Sequence, residues 1–128
     1  MDQSNIRFTK DHEWIRVDGD SGEAVVGITD FAAGELGDIV FVELPDVGES
    51  VTAGETMGTI EAVKTVADVY APASGKVVAV NEELEDAPDR VNASPFDEGW
   101  FVRVELSDPE QLDALMNAEA YRDMTGQS

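Results

Sequence analysis

The chain has 128 residues, 42% of them hydrophobic, which suits one compact domain (1–128) built on a single core. Its 28 Asp and Glu residues against 8 Lys and Arg give a formal net charge of −20, and such a surface repels nucleic acid phosphates and anionic membranes. Cysteine is absent, which excludes disulfides, thiolate nucleophiles and Cys-based metal sites.

The first residues, 1–5, are polar and acidic, without the basic start and apolar stretch of a secretion signal. No apolar run reaches the roughly 20 residues that cross a bilayer. We therefore expect a cytoplasmic protein without a targeting segment. Its acidity is either a general means of solubility or an adaptation to a salt-rich cytoplasm, where the Debye length falls to about 3 Å at 1 M.

Most of the chain consists of short β-prone segments separated by Gly, Pro and Asp. In these segments apolar residues alternate with polar ones or run together, as they do in strands. The predicted strands cover residues 13–17, 24–28, 38–44, 57–63, 66–71, 76–80 and 100–106. The residues DGDSG at 18–22 are predicted to form a turn between the first two strands, and they lack the ligand spacing of a calcium loop. The pattern predicts a mainly β fold.

Two helical segments interrupt the strands. Thr29 is a favourable N-cap and Gly37 a favourable terminator for a short helix with Phe31 and Leu36 facing inward. The acidic run 82–92 is predicted to be a loop with one or two short helices and a solvated acidic face.

The carboxyl-terminal segment changes to helical spacing. The residues SDPE at 107–110 are typical of a capping box with Pro in the first turn. Leu112, Leu115 and Met116 then recur on one helical face. We predict one amphipathic helix over about 108–124 that packs on the β core.

Few residues offer the chemistry of an enzyme. His12 is the only histidine, and because it is close to Trp14 and no G-x-S-x-G turn is present, a structural role is the simpler interpretation. No glycine-rich phosphate loop opens a helix, so nucleotide binding is not expected. With 28 acids in the chain, their proximity in sequence identifies no catalytic pair. The sequence thus predicts neither catalytic residues nor metal ligands.

Lys64 is one of three lysines and lies in an apolar, β-prone run. The pattern alone is that of an exposed strand residue, but a long stem ending in an amine also suits Schiff-base chemistry or permanent acylation. Schiff-base catalysis needs a neutral amine, whereas the acidic neighbours Glu61 and Asp68 favour the protonated form. Acylation by a separate enzyme needs no such tuning and is the more economical interpretation.

Several motifs follow one another in a recognisable order. They are DHEW at 11–14, GITDFA at 27–32, LGDIVFVELP at 36–45, EAVK at 61–64, YAP at 70–72 with Gly75, VN at 91–92, GW at 99–100 and EAY at 119–121. In this series the chain resembles the glycine cleavage H-protein family over nearly its whole length. The number of blocks makes the resemblance specific, which a single E-x-V-K would not.

The resemblance implies a barrel-sandwich hybrid, the fold of lipoyl and biotinyl domains, with Lys64 at the tip of a tight hairpin as an N6-lipoyl-lysine. Turn rules would not place a hairpin there, because the tip contains no Gly, Pro or Asn. Lipoylating enzymes of such systems recognise a Glu three residues before the lysine and a Gly eleven after it, and Glu61 and Gly75 match both positions. Ala62 stands where the family usually has Ser.

The resemblance further implies a monomeric, non-catalytic carrier of glycine catabolism and one-carbon metabolism. Its lipoyl arm, attached by a lipoate ligase or an octanoyltransferase, would take the aminomethyl group of glycine from the pyridoxal-phosphate enzyme glycine decarboxylase. It would deliver the carbon to aminomethyltransferase, which uses tetrahydrofolate, and electrons to the FAD enzyme dihydrolipoyl dehydrogenase. Glu13 and Asp68 match the acidic cleft that holds the loaded arm, and Asp11 stands where a Ser is usual.

Other functions remain open. Lipoyl modules of 2-oxoacid dehydrogenases and biotin carriers usually present Asp-Lys-Ala or Met-Lys-Met at the tip, and they lack the blocks at 12–14 and at the carboxyl terminus. The same scaffold also suits a lipoyl donor that relays the group to other complexes. A Schiff-base enzyme acting through Lys64 and an unmodified structural protein are the alternatives from other classes.

Overall fold

The structure is a computed structural model that describes residues 6–17 and 23–126. The predicted turn 18–22 lies outside them. Strands are β1 Ile6–Phe8, β2 Glu13–Val17, β3 Glu23–Ile28, β4 Ile39–Glu43, β5 Ser50–Val51, β6 Thr56–Ala62, β7 Val66–Tyr70, β8 Gly75–Val80 and β9 Val102–Leu106. Helices are α1 Asp30–Leu36, α2 Glu83–Asp86, α3 Arg90–Ala93 and α4 Ala118–Thr125, and a 3-10 helix covers Pro109–Ala114. No helix in the described ranges is long and apolar enough to cross a membrane.

The strands form two antiparallel sheets in the described residues. One has the order β1-β2-β3-β9-β8-β5 and the other the order β4-β6-β7. The predicted mainly β, barrel-sandwich fold is therefore confirmed.

Apolar residues from both sheets make the main core, which includes Ile15, Ile60, Val77 and Phe101. A second cluster covers the other face of β1–β3. Successive residues of a strand point to opposite faces, so Trp14 enters the second cluster while its neighbour Ile15 enters the main core.

Local sequence chemistry sets the bounds of α1. The Thr29 hydroxyl accepts a hydrogen bond from the Ala32 N–H, and Gly37 ends the helix with a φ of 77°, so both predicted caps are confirmed. Of the two residues predicted to face inward, Leu36 packs against the main core, whereas Phe31 does not. Ala32 is buried, whereas Phe31 is half-buried and lies against His12, with ring centroids 4.8 Å apart.

The carboxyl-terminal segment is not the single helix predicted over 108–124. Asp108, rather than Ser107, caps the 3-10 helix. The chain then extends so that Met116 exchanges two backbone hydrogen bonds with Phe8, at 2.8 and 3.0 Å. This pairing with β1 gives Met116 the backbone hydrogen bonds that a continuous helix would otherwise provide. A separate helix, α4, then begins after Asn117, whose side chain accepts a hydrogen bond from the Ala120 N–H.

Candidate functional site at a hairpin tip and an acidic cleft

Lys64 lies at the tip of the β6–β7 hairpin and is exposed. The turn is held by two backbone hydrogen bonds: the Ala62 N–H donates to the Thr65 carbonyl at 2.8 Å, and the Val63 N–H donates to the Asp38 carbonyl at 3.0 Å. Within residues 6–17 and 23–126 the Lys64 amine forms neither an ion pair nor a hydrogen bond. The hairpin therefore presents a free amine on a fixed backbone.

A cleft of about 290 Å³ lies along β7, beside this hairpin. Four acids line it: Asp11 and Glu13 from the amino-terminal part of the chain, Glu35 from α1 and Asp68 from β7. Its apolar walls comprise Ile28, Phe31, Ala32, Leu36, Ile60 and Ala67. Asp68 follows Lys64 by four residues, so their Cα atoms are at most roughly 14 Å apart.

Glu13 lines the cleft and is only 2% exposed. Its carboxyl group accepts hydrogen bonds from the Thr9 hydroxyl at 2.6 Å and from the Tyr70 N–H at 3.2 Å. Burial raises the pKa of Glu13 to about 7, because those two bonds only partly offset the loss of hydration and the negative Asp11 adds to the effect. No Lys or Arg of the described residues forms an ion pair with it.

The segment that carries Asp11 and Glu13, at the start of β2, is fixed from two sides. Its own backbone is tied to the Thr9 hydroxyl, which accepts from the Asp11 N–H at 3.2 Å and from the Glu13 N–H at 3.1 Å. His12 has a φ of 71°, a conformation uncommon for a non-glycine residue. Its Nδ1 lies 2.8 Å from the Tyr121 hydroxyl of α4, which also contacts the Thr29 hydroxyl at 2.7 Å. Helix α4 thus anchors the acidic side of the cleft.

Acidic side chains between apolar walls suit a cation on an apolar stem. A positive charge beside Glu13 lowers its pKa and favours the carboxylate, and a charge-assisted hydrogen bond then holds the cation.

Comparison with known proteins shows the family of the chain. The family model described as Glycine cleavage H-protein matches residues 6–128. The chain belongs to the glycine cleavage H-protein family. A glycine cleavage system H protein of Bacillus cereus (strain B4264) is 56% identical over 124 residues, covering 97% of this chain and 96% of the relative. One of Staphylococcus haemolyticus (strain JCSC1435) is 53% identical, with 97% of each chain covered.

A solved structure of the same family has the same fold. It is the crystal structure of a glycine cleavage system H protein from Mycobacterium marinum, with a TM-score of 0.87 and 40% sequence identity. The alignment covers 96% of this chain and 98% of that one.

The two residues predicted to be recognised by the lipoylating enzyme, Glu61 and Gly75, lie in different parts of the fold. Glu61 is exposed on β6, three residues before Lys64 and on the same hairpin. Gly75 instead lies buried in the six-stranded sheet, opposite Val51 and Leu106. A Cβ at Gly75 would overlap the carbonyl oxygen of Glu105, so packing alone requires glycine there.

The three predicted cleft acids, Asp11, Glu13 and Asp68, do line one cleft. Sequence reasoning missed Glu35, although Phe31 and Glu35 are four residues apart and so share a face of α1. It also missed Thr9 and Tyr121. Thr9 lies only four positions before Glu13, so its contact with that residue is local, although no motif marks it. Tyr121 lies 109 positions from His12, so its contact with that residue depends on the fold.

Proposed function

We propose that this H-protein family member is a lipoyl carrier of a glycine cleavage system, with lipoate attached to Lys64 as N6-lipoyl-lysine. The observation that carries the proposal is the exposed amine of Lys64, unpaired in the described part of the chain, on a tip beside a cleft with four acids. The residues present fit the group. The tip leaves the amine accessible to an acylating enzyme, and the cleft combines apolar walls with four acidic side chains.

A bound lipoyl group supplies a disulfide that accepts a one-carbon amine unit together with two electrons. The protein's own part is to hold the cationic amine. Glu13 would be the principal acceptor, because its buried carboxylate gains most from a partner cation. Asp11 and Asp68 are exposed at the rim and would add charge that attracts the amine into the cleft.

This role makes the chain a non-catalytic subunit whose chemistry resides in its partners. As partners we propose glycine decarboxylase, aminomethyltransferase and dihydrolipoyl dehydrogenase, besides a lipoate ligase or octanoyltransferase. We propose a monomer as the working form and the cytoplasm as its compartment, in keeping with bacterial relatives such as that of Bacillus cereus.

The test is the site of lipoylation. Chain produced without lipoate is incubated with lipoate, ATP and a lipoate–protein ligase, and then analysed by intact mass and peptide mapping. We expect one lipoyl group on the wild type, none on Lys64→Arg and one on Lys76→Arg, whose lysine is also exposed but lies on β8. A lipoyl group on Lys76, or none on the wild type, would refute the proposal.

A further inference from the structure

One carboxamide side chain bonds the backbone on both sides of Asp38, where β4 begins. Asn92, on α3, donates from Nδ2 to the Gly37 carbonyl at 2.8 Å and accepts at Oδ1 from the Ile39 N–H at 3.0 Å. Only this placement of the amide oxygen and nitrogen satisfies both partners, because a carbonyl accepts and an N–H donates. We call this pair of hydrogen bonds the Asn92 clamp.

The residue inside the Asn92 clamp holds the hairpin tip. The Asp38 carbonyl accepts from the Val63 N–H at 3.0 Å, and Val63 immediately precedes Lys64. The Asp38 carbonyl and the Ile39 N–H belong to one planar trans peptide unit, so they point in opposite directions. That unit is bonded to Asn92 on one side and to the tip on the other. A movement of Asn92 is therefore passed on to the tip.

The tip needs such a link because its own residues supply little support. Residues 63–65 include no Gly, Pro or Asn and are all exposed, so neither turn chemistry nor packing fixes them. The Ala62 N–H closes the hairpin on the Thr65 carbonyl at 2.8 Å, a bond within the hairpin itself. The bond from Val63 to Asp38 instead ties the tip to a segment outside the hairpin.

The Asn92 clamp also reaches the wall of the cleft. Gly37 directly follows Leu36 at the end of α1, and both Glu35 and Leu36 line the cleft. The bond to the Gly37 carbonyl holds this end of α1, while the bond to the Ile39 N–H holds the start of β4. One side chain therefore sets the separation between the cleft wall and the tip that carries Lys64.

Helix α3 is a firm support for Asn92. Its neighbour Val91 is fully buried in the main core. Gly99 packs so closely on α3 that a Cβ there would lie 2.8 Å from the Arg90 carbonyl oxygen, and the Gly99 N–H donates to the Ser94 carbonyl at 2.8 Å. These contacts give a structural reason for the VN and GW motifs of the sequence, which the hairpin and the cleft leave unexplained.

We propose that Asn92 is a positioning residue for Lys64, acting through the Asp38 carbonyl to hold the hairpin tip at a fixed place beside the acidic cleft. The inference rests on the proposed function, in which an arm on Lys64 reaches Glu13. An arm on a fixed backbone loses less conformational freedom when it enters the cleft, so a larger fraction of it stays there. Asn92 does not itself line the cleft.

The first measurement is amide hydrogen exchange of the full, unmodified chain, followed by NMR. In Asn92→Ala we expect the Val63 amide to exchange at least about tenfold faster relative to the amides of β3 and β9, because the tip opens while the sheet stays closed. Asn92→Asp is the milder variant, since it keeps an oxygen for the Ile39 N–H and loses only the donor to the Gly37 carbonyl. Its Val63 exchange should lie between those of wild type and Asn92→Ala.

Gln111→Ala is the matched control. Gln111 is also a half-buried carboxamide with two hydrogen bonds, since Oε1 accepts from the Ser74 N–H at 2.7 Å and Nε2 donates to the Ser74 hydroxyl at 3.3 Å. Ser74 lies beyond the end of β7 that is remote from the tip. Gln111→Ala should therefore leave the relative exchange of the Val63 amide as it is in the wild type.

The second measurement follows the arm. Lipoylated chain is loaded by glycine decarboxylase from glycine radiolabelled at its methylene carbon and separated from the enzyme, and the label left on the chain is counted over time. As a fraction of its own starting label, Asn92→Ala should lose label at least about threefold faster than wild type or Gln111→Ala, because an arm outside the cleft is open to water.

The results separate this proposal from the proposed function. Wild-type exchange of the Val63 amide in both Asn92 variants would overturn the link between Asn92 and the tip. Faster exchange with unchanged retention of label would reduce Asn92 to a structural residue and overturn its positioning role. An effect of Gln111→Ala as large as that of Asn92→Ala would do the same. Wild-type chain that takes up no lipoyl group at Lys64 would remove the carrier proposal and the positioning role together, whatever the exchange rates.

Discussion

The buried carboxyl of Glu13 should make the stability of this protein depend on pH in a way that one substitution removes. Its pKa is about 7 in the folded chain against 4.5 for the free side chain, so the folded state retains a proton that the unfolded state has lost. Stability from this group is therefore present at low pH and is lost as pH rises towards 7 and above. At about 1.4 kcal/mol per pKa unit, the wild type loses about 2 kcal/mol from Glu13 between pH 5.5 and 8.

Glu13→Gln keeps the shape and one of the two accepting oxygens but cannot ionise. The cost of the lost acceptor is the same at every pH and cancels in a difference between two pH values. We expect the free energy of unfolding of Glu13→Gln, relative to wild type, to rise by about 2 kcal/mol between pH 5.5 and 8. Urea unfolding at both pH values measures it, and the difference cancels the titration of the other acids, which both proteins share. An equal difference at the two pH values would refute the argument that Glu13 is destabilised by burial. If confirmed, the protein retains a costly carboxylate where the proposed arm binds.

Two further predictions concern packing and charge. Gly75→Ala should destabilise the chain by about 1–3 kcal/mol in urea unfolding, because the added Cβ has no space. Gly34 is exposed on α1 with open space around it, so Gly34→Ala should be neutral or stabilising in the same measurement. Equal stability of the two variants would contradict the packing role of Gly75. The thermal midpoint should rise from dilute buffer to molar KCl as salt screens the net charge of −20, and a midpoint that stays constant would contradict adaptation to salt.

Features that depend on neighbouring residues were predictable from the sequence. Thr29 and Gly37 bound α1 as predicted, because a side-chain cap and a glycine terminator act within one turn. The alternation predicted for β9 is also present in the structure, with Val102 and Val104 buried and Glu105 exposed, because neighbouring residues of a strand point to opposite faces. Such elements need no information from the rest of the fold.

Features that depend on distant residues were not predictable from local pattern. The hairpin tip lacks turn-forming residues, and one of its bonds comes from Asp38, outside the hairpin. The carboxyl-terminal helix is broken because Met116 pairs with Phe8, at the opposite end of the chain. In both places a backbone group finds a partner that local sequence does not reveal.

The candidate site also contains residues that a local motif identifies and residues that only the fold brings together. Lys64 and Glu61 lie on one hairpin, and the motif that contains them identifies both. The cleft draws Asp11, Glu35 and Asp68 from three separate segments, so the pattern alone could not bring them together. The resemblance to the family predicted two of these three, and only the fold shows Glu35 beside them.

The central claim is that Lys64 carries glycine-derived carbon on a lipoyl arm. The most direct measurement incubates lipoylated chain with glycine decarboxylase and glycine radiolabelled at its methylene carbon, and then counts the label that stays with the chain. The account predicts label on wild type and on Lys76→Arg, and none on Lys64→Arg. Label on Lys64→Arg, or an unlabelled wild type that mass spectrometry shows to be lipoylated, would contradict it.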